Sequence, residues 1–275
     1  MGAFDTPTLR LGCIGFGNMG RALTLGVQRH PDLRDAYELL AFDAYEDSMT
    51  AAREAGVRTA ADAGALARES DVILLAVKPD QVRDVLAGIA PELTPDKLLL
   101  SIAAGVTLEA LAKASGGNCL YMRVMPNTPA LVGQGMFGLC FGDGLPGTVR
   151  TRMRALFASL GGVVEIPESK MNAFTALSGS GPGYVFHFME SLAEAGVSAG
   201  LDRKSSQAIA LALLKGCAAM AEQTGLHPAL LREQVSSPAG TTVAGLNHLD
   251  RSGARGQIID AVLAALARGK AMEAE

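Results

Sequence analysis

The residues with the clearest chemical potential in this 275-residue chain form turns, not acid–base pairs. Gly15-Phe16-Gly17-Asn18-Met19-Gly20 follows an apolar run and leads into helical composition. A Gly-X-Gly-X-X-Gly turn in that setting binds a dinucleotide. The first glycine allows the tight turn, the second lets backbone approach a pyrophosphate, and the third lets helix and strand pack closely. The helix start adds unpaired N–H groups and the positive end of its dipole for the phosphates. A bare structural turn would use the same glycines, but the succession strand, turn, helix, strand favours the cofactor. Asp43 stands 23 residues past Gly20, at the end of the second apolar run. A carboxylate there accepts hydrogen bonds from an adenosine ribose and repels a 2′-phosphate, which favours NADH over NADPH unless Arg53 or Arg58 folds back to offset it.

Three further turns fall at carboxyl ends of apolar runs, the edge where open α/β sheets bind ligands. Ala76-Val77-Lys78-Pro79 and Ile102-Ala103-Ala104-Gly105 carry small residues that leave room for a flat ring. Met125-Pro126-Asn127-Thr128-Pro129 has two prolines that stiffen it and an Asn127 amide able to bond a nicotinamide carboxamide, although a rigid turn explains it equally. In the second half, Ser178-Gly179-Ser180-Gly181-Pro182-Gly183 and Ser236-Ser237-Pro238-Ala239-Gly240-Thr241-Thr242 each precede a helical stretch. Helix starts of this kind offer N–H groups to a carboxylate, and the Thr242 hydroxyl can donate or accept; ordinary capping is the simpler account of each alone.

These motifs contain no histidine or carboxylate placed as an acid or base. His187 sits on an apolar helical stretch, and His30, His227 and His248 lie near expected helix ends, so none is a strong catalytic choice. Cys13, Cys119, Cys140 and Cys217 are widely spaced without a Cys-X-X-Cys pair, which argues against zinc and a disulfide framework and reads as four core residues; no metal is expected. Lys plus Arg is 24 against 28 Asp plus Glu, too acidic a balance to attract nucleic acid. The most apolar stretch, 208–221, contains Lys215 and is shorter than the roughly 18–20 residues of a membrane span. Asp5, Pro7 and Arg10 interrupt any secretory signal, and Met1-Gly2 with Thr6 fits the myristoylation pattern too loosely to weigh. A soluble, cytoplasmic protein is expected.

Positioning such turns requires a sheet. Apolar runs at 9–15, 37–43, 71–77, 97–102 and 118–125 alternate with helical stretches at 21–28, 46–55 and 81–89, a βαβ rhythm, and 135–141 reads as a hairpin-like strand. The run 72–77 has no polar alternation, as when helices cover both faces of a parallel sheet. Beyond Pro167 strand signals vanish and helices are expected at 185–199, 205–222, 228–235 and 257–268. The expected fold is α/β: a Rossmann-type doubly wound domain over 1–166 and an all-helical domain over 167–275. Val185, Phe188, Met189, Leu192 and Ala195 recur at helical spacing, and 207–220 is apolar round most of its circumference. Such helices complete their core against a second subunit or within one chain.

Taken together, the stretches at 15–20, 76–79, 103–107, 125–129 and 177–182, and above all SSPAGTTVAGLNHLD within 235–250, resemble the pyrroline-5-carboxylate reductase family over essentially the whole length. The resemblance implies an enzyme that reduces 1-pyrroline-5-carboxylate to L-proline with NADPH or NADH, assembled as a homodimer or a ring of dimers. It implies that Ser237, Gly240 and Thr241 meet the substrate carboxylate, with Ser178 and Gly179 also on the substrate side, and that Thr242 faces the ring nitrogen. It further implies an active site at the dimer interface, Gln234 and Val235 lying near the partner's cofactor. Asp43 departs from the Ser, Thr or basic residue of many relatives, Ala63 from a frequent Asn, and Gly183 from the usual Ala. A cyclic iminium is already electrophilic, so hydride transfer to C5 needs positioning more than an acid. A β-hydroxyacid dehydrogenase shares the two-domain plan but calls for a lysine that 183–190 lacks. A nucleotide sensor fits the fold but gives no reason for the 236–242 loop.

Overall fold

The computed structural model describes Phe4, Thr6 and residues 8–274; Met1, Gly2, Asp5 and Pro7, which bear on the leader and lipidation readings, lie outside these. Eight strands form one sheet: β1 Leu9–Ile14, β2 Tyr37–Phe42, β3 Arg58–Thr59, β4 Val72–Leu75, β5 Leu98–Ser101, β6 Leu120–Met125, β7 Gly135–Phe141 and β8 Gly161–Glu165. Their order is β3-β2-β1-β4-β5-β6-β7-β8. Pairings from β3 to β6 are parallel, β7 runs antiparallel to β6, and β8 runs parallel to β7. The order reverses between β1 and β4, which opens a crevice at their carboxyl ends.

Both faces of the sheet are buried, and this explains the unbroken apolar runs. Val72, Leu74, Leu98 and Leu100 join Leu23, Val27, Met153 and Phe157 in one layer. Ile73, Leu75 and Leu99 join Leu66, Leu86, Ile89 and Leu111 in the other. The two-residue β3 and the half-exposed β8 had no legible strand pattern. The helices Ala63–Glu69, Leu108–Ser115 and Gly147–Ala158 likewise add to those expected. The first of these is finished by Lys97, whose buried ammonium donates to the carbonyls of Ala67, Arg68 and Ser70 at 2.7, 2.9 and 2.6 Å. A cation on the orphan carbonyls of a helix end satisfies them and opposes the dipole.

Packing groups the chain up to Gly179, together with its last segment from Leu266, as one unit, and Ser180–Ala265 as a second. That division falls later than the 166/167 boundary, because the segment after β8 packs with the sheet: Met171 is buried with Met125 and Cys140. The final helix, Ala254–Ala274, begins in the second unit and ends in the first. There Glu273 accepts from Asn172 at 2.7 Å, and Met272 lies against Gly105.

The second unit is all helix: Gly181–Ser198, Arg203–Thr224, Pro228–Gln234, Thr241–Arg251 and most of Ala254–Ala274. Within it only Ala193, Ser206 and Ala210 are buried, while Phe186, Ile209, Leu211, Leu213 and Ile258 are about half exposed or more. Val185 and Phe188 of the expected apolar stripe are likewise half exposed. A four-cysteine core is not what forms: Cys13 and Cys140 are buried and Cys119 half-buried, but Cys217 is exposed on one of these helices. Among the described residues no helix is long and apolar enough to cross a membrane.

Candidate active site

The first turn of the site is built by close contact. Gly15 adopts φ +93°, and a Cβ on it would stand 2.7 Å from the backbone carbon and oxygen of Ala76, so β1 and β4 approach where only glycine fits. A Cβ on Gly20 would meet the Gly15 carbonyl at 2.0 Å and the Cys13 sulfur at 2.9 Å, the tight helix–strand packing expected of that position. Gly17 faces open space and caps helix Asn18–Arg29, which therefore starts three residues earlier than its composition indicated. That helix start has no side-chain cap and no acidic residue in its first turn, leaving its amides for an anion. Beneath it, burial pushes the Cys13 thiol up to about 12 and keeps it from nucleophilic chemistry.

Around this turn lies a cleft of about 570 Å³, lined by Gly15, Gly17, Asp43, Tyr45, Ala76, Val77 and Lys78 among others. Its size and open amides fit a dinucleotide's adenosine and pyrophosphate. Asp43 is fixed at its rim: Oδ2 accepts from the Phe16 N–H at 2.6 Å and Oδ1 from the Tyr45 N–H at 2.9 Å. Arg53 does not fold back, being paired with Glu46, and Arg58 pairs with Glu69 at 2.8 Å. Asp80 and Asp84 add further carboxylates to the lining. Residue reasoning overlooked Tyr45, 69% exposed beside Asp43, and Ser48. A lone aromatic two residues after Asp43 is the available signal.

Other expected residues take different parts. The Phe16 ring is buried in the core, so this residue offers the turn its main chain only; Met19 packs against the same core, and Asn18 is exposed. Ala103 is buried and Ala104 packs beside Met125 and Met171, and neither is in the lining of the cleft. Pro79 opens a short 3-10 turn beyond Lys78. Asn127, expected to bond a nicotinamide, spends its amide inside the protein. Its Oδ1 accepts from Met136 N–H at 2.9 Å, and its Nδ2 donates to the Ser178 carbonyl at 3.2 Å. Ser178 and Gly179 end a π-helical turn, Thr175–Gly179.

In the second unit the 236–242 loop is strained. Ala239 has φ +56°, the one positive φ outside glycine among the described residues, and a Cβ on Gly240 would meet the Ser237 hydroxyl at 2.4 Å. Gly240 donates its N–H to the Ser237 carbonyl at 3.0 Å and caps helix Thr241–Arg251 without any side-chain bond. Strain of this kind persists where the surroundings hold it and clusters at ligand sites. Thr241 and Thr242 are exposed at the helix start. Among the described residues no group of three or more His, Cys, Asp or Glu is placed to hold a metal.

A reversed-order parallel sheet with a glycine-rich turn at its switch point, followed by an apolar helical unit, defines an oxidoreductase of the nicotinamide-dinucleotide class. Residues 10–105 match the model described as NADP oxidoreductase coenzyme F420-dependent, and 168–272 match that of pyrroline-5-carboxylate reductase dimerisation. The pyrroline-5-carboxylate reductase of Methanosarcina acetivorans is 38% identical, over 95% of this chain and 97% of its own. That of Glycine max is 39% identical over 94% of each. The solved Plasmodium falciparum pyrroline carboxylate reductase with NADP bound is 34% identical, with a TM-score of 0.88 over 98% of this chain and 99% of that one. The chain belongs to the pyrroline-5-carboxylate reductase family, whose members are NAD(P)-dependent oxidoreductases.

Proposed function

We propose that the protein reduces 1-pyrroline-5-carboxylate to L-proline, using NADH in preference to NADPH, in an active site completed between two copies of the chain. The observation that carries the reaction is the 236–242 loop: a strained turn delivering an uncapped helix start and two threonine hydroxyls. Such a terminus suits a carboxylate-bearing substrate with one further hydrogen-bonding atom. It gives no purchase to a hydroxy acid that must lose a proton to a base, and 183–190 still lacks a lysine.

Held by the turn 15–20 and the cleft around it, a dinucleotide would supply the hydride for C5 of the protonated cyclic imine. The chain's own residues do the positioning. Ser237, Gly240 and Thr241 hold the substrate carboxylate, and the Thr242 hydroxyl fixes the ring nitrogen, which keeps its proton throughout and leaves as the amine of proline. No separate protonation of oxygen is needed, so proximity and orientation carry the rate. At the other end, Asp43 accepts from the ribose hydroxyls, and Arg53 and Arg58, already paired with Glu46 and Glu69, are not turned toward a 2′-phosphate. The helical unit supplies the interface, in keeping with its unburied apolar faces. Gln234 and Val235 would then stand near the partner's cofactor.

Initial rates of nicotinamide absorbance loss with pyrroline-5-carboxylate, run with each cofactor in parallel, test the proposal. Turnover with a lower KM for NADH supports both parts. A clear NADPH preference keeps the reaction and discards the role of Asp43, whereas no turnover with either discards the reaction.

A further inference from the structure

We infer that Asn127 is a positioning residue of the substrate side, acting through Ser178, and not a contact to the nicotinamide; the inference rests on the reaction proposed above. Its side chain ties its own turn to Met136, nine residues on, and to Ser178, 51 residues on. Through Oδ1 it takes the Met136 N–H at the start of β7, at 2.9 Å. Through Nδ2 it reaches the Ser178 carbonyl at 3.2 Å and the Ser178 hydroxyl at 3.4 Å. Its own backbone accepts the Ala130 N–H at 3.1 Å and so shapes the 3-10 turn Thr128–Val132.

The Ser178 carbonyl needs this donor for a covalent reason. In a continuing helix its partner would be the N–H four residues on, but that residue is Pro182, which has none. The N–H five residues on, at Gly183, is bonded to the Ser180 carbonyl at 3.0 Å. An orphan carbonyl in a half-buried turn costs free energy unless something donates to it. Asn127 does so, and the π-helical turn Thr175–Gly179 thereby keeps the conformation that presents Ser178 and Gly179. Met125, two residues before Asn127, backs the same turn: a Cβ on Gly179 would lie 3.8 Å from its sulfur.

The test uses Asn127→Ala and the isosteric Asn127→Asp in the full-length protein; the aspartate keeps the acceptor for Met136 and removes the donor for Ser178. Hydrogen exchange on the unliganded protein reads the clamp directly, a fluorescence titration reads NADH affinity, and steady-state rates read the KM for the imine. The expected result is faster exchange over 175–183, an imine KM raised about tenfold, and an NADH affinity within about twofold of the parent. Lost NADH affinity with an unchanged imine KM would overturn the inference in favour of a nicotinamide contact. Unchanged exchange would show that there is no clamp, and faster exchange with unchanged KM would reduce it to a purely structural bond. If the parent turns over no imine, the reaction fails while the exchange result still decides the clamp.

Discussion

Chemistry in this protein rests on single residues whose neighbours decide what they can do. Thr242 is expected to act through one hydrogen bond to the ring nitrogen, so Thr242→Ala should lower kcat/KM by roughly tenfold to a hundredfold and leave NADH affinity alone. Unchanged turnover would remove the hydroxyl from the mechanism. Asp43 is legible in the sequence as a candidate for the ribose, but the fate of the two arginines is not. Only the fold shows them paired with Glu46 and Glu69. A carboxylate facing a phosphate near a protein surface costs about 1–3 kcal/mol. Asp43→Ser should therefore shift the NADPH-to-NADH affinity ratio at least about tenfold toward NADPH, as measured by nicotinamide fluorescence. A ratio that does not move would mean that selectivity lies elsewhere in the cleft.

Elements hold these residues through a few polar joints. Arg10 on β1 grips Asp71 just ahead of β4 with two side-chain bonds, at 2.7 and 3.2 Å, and a backbone bond at 2.8 Å. Burial pushes the Asp71 carboxyl up, but the Arg10 bonds outweigh it and hold the group below its ordinary value. A carboxylate with a lowered folded pKa stabilises fully above its unfolded pKa, about 4, and loses that stability as pH falls through the lowered value. Asp71→Asn should thus cost about 1–3 kcal/mol at pH 7, and the gap from the parent should close toward pH 2–3. Thermal melts at both pH values check the sign; a gap that widens in acid would refute it. The strands that carry this joint were readable because both faces of the sheet are apolar. β3 was not, being two residues long with its register set by β2. Nor was β8, which owes its place to its pairing with β7.

At the scale of the molecule, the two units have opposite characters. The sheet unit buries most of its apolar residues within one chain, whereas the helical unit leaves Leu213, Ile209 and Ile258 about half exposed. Exposed apolar area on that scale marks an interaction surface. A charge there would be buried without a partner, so Leu213→Glu should reduce the sedimenting species to the 28.4 kDa of one chain. If the active site spans the interface, turnover falls with it; full activity in a monomer would place the site within one chain. An oligomer that survives the substitution would mean that this face is not the interface.

The sequence by itself determined the parallel sheet, the phosphate turn, the helical second half and the family, because these depend on local periodicity and on glycines and prolines at fixed spacings. The 236–242 loop was legible for the same reason: its Ser, Gly and Thr residues are contiguous. The tertiary structure decided what depends on partners distant in the chain. It buried the Phe16 ring, paired Arg53 and Arg58, exposed Cys217, returned the end of the last helix to the sheet unit, and turned Asn127 inward to Ser178, 51 residues away. A side chain's type limits which bonds it can make, but the packing of remote segments chooses among them.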